Sequence, residues 1–214
     1  MRPITVSLSP SVLDADGVAA SQTPAGAGAV TINGALATGG VATFASPQIV
    51  TIYSGSDISN RTLDVTGRDR DGNTISQTSI TGPNNETVAT TKYFKEVTGV
   101  TISGAAAGAI TVGVNGLGTS QIIPLDVYPP ANISVAVTAV TGATYKLQYT
   151  YDDVQATTWP NGTQTWFDHA TMVSKTATAD ATINNPVTAV RFVITTAASP
   201  QSLTGRIIQS GGMV

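Results

Sequence analysis

The sequence predicts an all-β protein, and three observations carry that prediction. Charged residues make up only 11% of the 214 positions, helix-favouring Leu, Glu, Lys and Arg are scarce, and no long stretch repeats its apolar residues every 3.6 positions. Thr, Val and Ile dominate the chain, and their branched Cβ suits a pleated strand, while 21 Gly and 11 Pro supply turns. Apolar residues also alternate with polar ones, most clearly at Leu63, Val65 and Ile75, which is the period of a half-buried strand. Between those runs stands Asp71-Gly72-Asn73, where Gly and Asn tolerate the positive φ of a tight hairpin turn.

Composition narrows the function classes. The net charge is −3 and the pI about 4.9, which argues against a broad nucleic-acid or anionic-membrane surface. No Cys is present, so disulfides and thiolate metal sites are excluded. Residues 1–10 lack the apolar core of a signal peptide, and nothing approaches the 18 apolar residues of a membrane span. A surface with so little charge points to burial against partners, because charge is what keeps monomers apart.

Taken in order, the elements read as two antiparallel β-sandwich domains in tandem behind an extended N-terminal arm. Residues 4–8 alternate as a short strand that Pro10 ends. From Asp14 to Gly40 the side chains are mostly small and bury little area, so residues 1–45 are expected to form an arm or thin hairpin. The first domain spans 46–124: a strand at Ile49–Ile52, the Thr62–Ile80 hairpin, a turn at Gly82–Asn85, a strand at Lys92–Ile102 and a last one at Ile110–Val114. Pro124, Pro129 and Pro130 mark the hinge, since proline cannot join a central ladder. The second domain, 125–214, repeats the order. Ile133–Val135 echoes Val50–Ile52, Tyr145–Asp153 echoes Arg61–Asp69, and Val187–Phe192 echoes Val97–Ile102.

Candidate chemistry is sparse, and no catalytic, cofactor-binding or metal-binding residue is expected. Asp69, Asp71 and Asn73 resemble the opening of a calcium loop, but the distal acid such a loop needs is missing. Asp14 and Asp16 are a weaker version. His169 is the single histidine, and no Gly-x-Ser-x-Gly elbow offers it a nucleophile. Asp152 and Asp153 are adjacent, so on a strand they face opposite ways and cannot act as a glycosidase pair. One of them facing Asp168 across a cleft would be needed for a glycan-degrading enzyme. The aromatics Trp159, Trp166 and Phe167, with Asp168, form the one candidate ligand or contact surface.

The run from Leu63 to Ile75, the Gly82-Pro83-Asn84-Asn85 turn and the strand from Lys92 to Val100 resemble β-rich structural proteins of tailed bacteriophages. The resemblance covers residues 45–115, and the region from Tyr128 to His169 is similar to the companion domain of such proteins. It implies a non-enzymatic virion component, a capsid decoration or head–tail (collar) protein. Such a protein is made in the host cytoplasm and assembled in many copies by self-association and by binding capsid, portal-proximal or tail proteins. The alternatives are a tail component, or a carbohydrate- or receptor-binding module using the Trp159/Trp166 loop.

Overall fold

A computed structural model describes residues 3–126, 132–154, 164–196 and 201–209. The protein is all-β, and no helix occurs among the described residues. The strands are β1 (Ile4–Leu8), β2 (Asp14–Gln22), β3 (Gly28–Ala29), β4 (Ala37–Thr38), β5 (Val41–Asp57), β6 (Thr62–Arg68), β7 (Thr74–Thr81) and β8 (Asn84–Ile102). They continue as β9 (Ile110–Thr119), β10 (Ile123–Pro124), β11 (Ile133–Thr141), β12 (Tyr145–Thr150), β13 (Phe167–Asp168), β14 (Ala179–Ile183), β15 (Ala189–Ile194) and β16 (Ser202–Gln209). All assigned pairings are antiparallel. The chain forms two compact units, one of residues 11–116 and one of residues 1–10 with 117–214.

The unit of residues 11–116 is organised on the long β5–β8 pair, which runs from Ala42↔Val97 to Asp57↔Asn84. The β6–β7 hairpin lies on the other edge of β8, from Leu63↔Ile102 to Arg68↔Glu96. Its turn is held by Asp69, whose carboxylate accepts from the backbone N–H of Asp71 and of Asn73, both at 2.9 Å, and from the Asn73 amide at 3.2 Å. These are the contacts of an Asx-type hairpin turn, in which a carboxylate serves the loop's own N–H groups. Phe44, Val50, Ile52, Leu63, Val65, Phe94 and Val97 form the heart of the core. Lys95 closes the irregular part of β5 between Thr43 and Gln48 by donating to the carbonyls of Phe44 and Ala45.

The segment expected to be an arm is divided between the units. Strand β1 pairs with β16, from Ile4↔Ile207 to Leu8↔Leu203, and buries Val6 and Leu8 among residues of the C-terminal half. Residues from Ser11 onward fold into the other unit, where Val18, Ala19 and Val30 are buried. Small side chains do bury little area there, but they allow backbones to meet. Gly34 N–H donates to Val18 O at 3.0 Å, Leu36 N–H to Gly17 O at 2.7 Å and Val30 N–H to Val100 O at 2.8 Å. The Gln22 carboxamide binds both the N–H and the C=O of Thr31. Main-chain hydrogen bonding compensates for the lack of large apolar groups.

The second unit has two antiparallel sheets sharing one core. One is ordered β1-β16-β11-β14, and the other carries β13-β12-β15 with β10 on β15. Val6, Leu8, Val135 and Ile207 from the first meet Tyr145, Leu147, Val190 and Phe192 from the second. The longer segment of this unit starts at Leu117, and the prolines that the sequence suggests as a hinge come later in the chain. Ile123 and Pro124 lie within it, paired with Val190 and Ala189 of β15. A proline is tolerated there because a short edge pairing needs few donors. Residues 127–131, including Pro129 and Pro130, lie outside the described residues.

Candidate functional site

Strand β12 alternates its residues between the core and the opposite face of its sheet, where Gln148 and Thr150 are themselves buried. Tyr145 and Leu147 are fully buried, and Lys146 and Gln148 face the other way. The short strand β13 adds to its edge with Tyr149 opposite Phe167 and Gln148 opposite Asp168. On the far side β15 places Arg191 opposite Gln148. Because neighbours along an extended chain point to opposite faces, the expected Trp166–Phe167–Asp168 surface is separated into two. Trp166 and Asp168 belong to the outward face, and Phe167 to the core-side face. Trp159 lies outside the described residues.

On the core-side face Phe167 joins two tyrosines. Its ring stacks on Tyr149 with centroids 5.8 Å apart, and Tyr151 meets both rings edge-on at 5.7 Å. Tyr149 packs on the core, whereas Tyr151 is 49% and Phe167 43% exposed. Nothing in the sequence singles out the tyrosines, but their period of two with Tyr145 is the signal that places them together.

On the outward face the charged groups form a row. Gln148 donates from Nε2 to Asp168 Oδ1 at 2.7 Å and accepts at Oε1 from Arg191 Nε at 2.9 Å. Lys146 Nζ lies 2.9 Å from Asp168 Oδ1 and 3.1 Å from Oδ2. The Arg191 guanidinium sits 4.1 Å from the centre of the Trp166 ring, within cation–π range. Gln148 is 8% exposed, so both ends of its amide are committed where an unpaired polar group would be costly.

Partial burial acts to raise the pKa of Asp168. The hydrogen bonds from Gln148 and Lys146 and the charges of Lys146 and Arg191 together outweigh it, holding the carboxyl below its ordinary value. A depressed carboxylate contributes stability above its unfolded pKa and loses that contribution as pH falls through its folded pKa. Urea midpoints of the native protein and Asp168→Asn should therefore differ at neutral pH and converge in acid, below the ordinary carboxylate range. A difference that persists unchanged in acid would show that packing, not charge, is the source.

The remaining candidates have structural partners. His169 N–H donates to Leu147 O at 2.9 Å, its carbonyl accepts from Met172 N–H at 3.0 Å, and its Nδ1 lies 3.3 Å from Thr171 Oγ1. It shapes the turn after β13. The Asp152 carboxylate accepts from Thr165 N–H, while Asp168 is held by Lys146 and Gln148. No cluster of three His, Asp or Glu side chains suited to a metal occurs among the described residues. No protein-family model matches the chain, and no curated protein matches it either.

Proposed function

We propose that this chain is a non-enzymatic structural protein of a bacteriophage virion, a capsid decoration or head–tail (collar) component that self-associates and binds neighbouring virion proteins. The observation that supports this most is the outward face of the β1-β16-β11-β14 sheet. Cross-strand partners there are Ser134 with Ile208 and Thr182, Ser7 with Thr204, and Ala136 with Arg206 and Asp180. Side chains are short, Arg206 and Asp180 are the only charges among these partners, and Ile208 is 46% exposed. A face of short, mostly uncharged side chains loses little solvation when covered, and the edge strands β1 and β14 offer main-chain groups to a neighbour.

The test is twofold. Light scattering of the full-length chain is expected to give a symmetric oligomer, which Ile208→Arg shifts to smaller mass by placing a charge in the contact. The chain should also sediment in fixed stoichiometry with particles of the phage whose genome encodes it. A monomer at every concentration that is also missing from purified particles would rule the proposal out. A second reading is a tail component or a carbohydrate- or receptor-binding module using the Trp159/Trp166 loop, and the binding-module form of it is supported by the Trp166–Arg191 contact beside Asp168.

A further inference from the structure

We infer that the outward face of β12, β13 and β15 binds the ring of a neutral hexopyranose, with Trp166 as the stacking surface and the Lys146–Asp168 pair as the hydroxyl-binding group. This deepens the carbohydrate-binding reading and is independent of assembly. Trp166 and Asp168 are two residues apart on extended chain, roughly 7 Å, a separation that one sugar ring spans. The Arg191 guanidinium lies over one face of the indole, 4.1 Å from its centre, so the sugar is assigned to the other face. Apolar stacking on such a ring, with a few convergent polar groups at its rim, is how concave and flat sites hold sugars in water.

The polar half of the site has matched donors and acceptors. The Lys146 side chain is 24% and that of Asp168 42% exposed, so each still reaches solvent. An ammonium has three N–H donors and a carboxylate about four acceptor directions, and their mutual contact uses only part of either. A vicinal diol is complementary to this pair: one hydroxyl donates to Asp168 while its neighbour accepts from Lys146. Gln148 is the positioning residue, holding Asp168 with one end of its amide and Arg191 with the other. Groups locked in this way lose little freedom on binding.

Stability alone is a poor account of the arrangement. Exposed ion pairs contribute little, and the chain uses only 10 Lys and Arg and 13 Asp and Glu in 214 residues. Two cations and a carboxylate nevertheless converge with a tryptophan on three adjacent strands.

Saturation-transfer NMR on the full-length protein with the methyl glycosides of glucose, galactose and mannose tests the inference. Transfer to the ring protons of at least one glycoside is expected. Asp168→Asn, which keeps the side-chain shape, should weaken binding roughly tenfold, as loss of a hydrogen bond to a charged group implies. Trp166→Ala should abolish it, and Tyr151→Ala, on the opposite face, should leave it unchanged. Melting curves of each variant report whether the fold is intact. Transfer that is undiminished in Trp166→Ala or Asp168→Asn would place the sugar elsewhere and overturn this site while the carbohydrate reading stands. No transfer from any of the three glycosides would overturn both.

Discussion

Phe192→Ala is expected to destabilise the unit of residues 1–10 and 117–214 by about 3–5 kcal/mol, the range for removing a buried aromatic ring. Phe192 is fully buried on β15, opposite Leu147 of β12, and its ring fills the space that Gly205 leaves on the facing sheet. A Cβ at Gly205 would stand 2.4 Å from Phe192 Cε2 and 2.5 Å from Cζ. The backbone at Phe192 cannot easily relax into the void. Its N–H donates to Ser120 Oγ at 3.0 Å, and its carbonyl accepts from Ser120 N–H at 2.8 Å and from Thr119 Oγ1 at 3.1 Å. A cavity that cannot collapse puts the cost toward the upper end of the range.

A double-mutant cycle separates this from a general loss of packing. Gly205→Ala alone overpacks the ring and should cost about 1–3 kcal/mol. In the Phe192→Ala background the new methyl group enters the vacated space, so the same substitution should be neutral or favourable. Urea denaturation followed by tryptophan fluorescence measures all four corners. Equal costs of Gly205→Ala in both backgrounds would mean that the two residues do not compete for one volume.

Gly67→Ala is expected to cost about 3 kcal/mol, the upper part of the range for overpacking, and to detach the β6–β7 hairpin from β8. A Cβ at this position would lie 1.9 Å from Glu96 O and 2.9 Å from Glu96 C. These are backbone atoms of β8, which is held on its other side by Thr43↔Glu96 pairing with β5. Neither partner can move aside as a flexible side chain would. The close approach arises where the β6–β8 register shifts between Thr66 and Gly67. Amide exchange should quicken across Leu63–Arg68 and the facing residues of β8. Gly72→Ala is the comparison: its φ of +84° strains any L side chain, but open space surrounds it. It should therefore cost about 1–2 kcal/mol, the left-handed backbone penalty alone. If Gly67→Ala proved no worse than Gly72→Ala, close backbone packing would not be the constraint.

Sequence alone determined what depends on neighbours a few residues apart. The β6–β7 hairpin was legible because its alternation and its Asp69–Asn73 turn are local, and the all-β class followed from β-branched residues and turn formers. The internal echo also carries into the structure in one place. Leu63 pairs with Ile102 and Val65 with Val100, just as Leu147 pairs with Phe192 and Tyr149 with Val190. The echo does not extend to Ile133–Val135, which pairs with β14 and β16 rather than with β15.

Tertiary structure alone decided the long-range pairings and the faces. Nothing near Ile4–Leu8 says that its partner is β16, almost the whole chain away, because any alternating apolar strand would accept it. The division after Gly116 falls inside β9, without the proline-rich linker that a boundary usually shows. Its only local sign is Asn115-Gly116, with φ of +77° at Gly116, which the sequence offers among many glycines. Trp166, Phe167 and Asp168 were legible as a group but not as two faces, for β13 is too short to show a period. Once β12 pairs with it, one aromatic turns to the core side and the other joins the charged row. The reason is general for this protein: main-chain hydrogen bonds are offered by every residue alike, so side-chain pattern selects strands, while only the assembled core selects which strands meet.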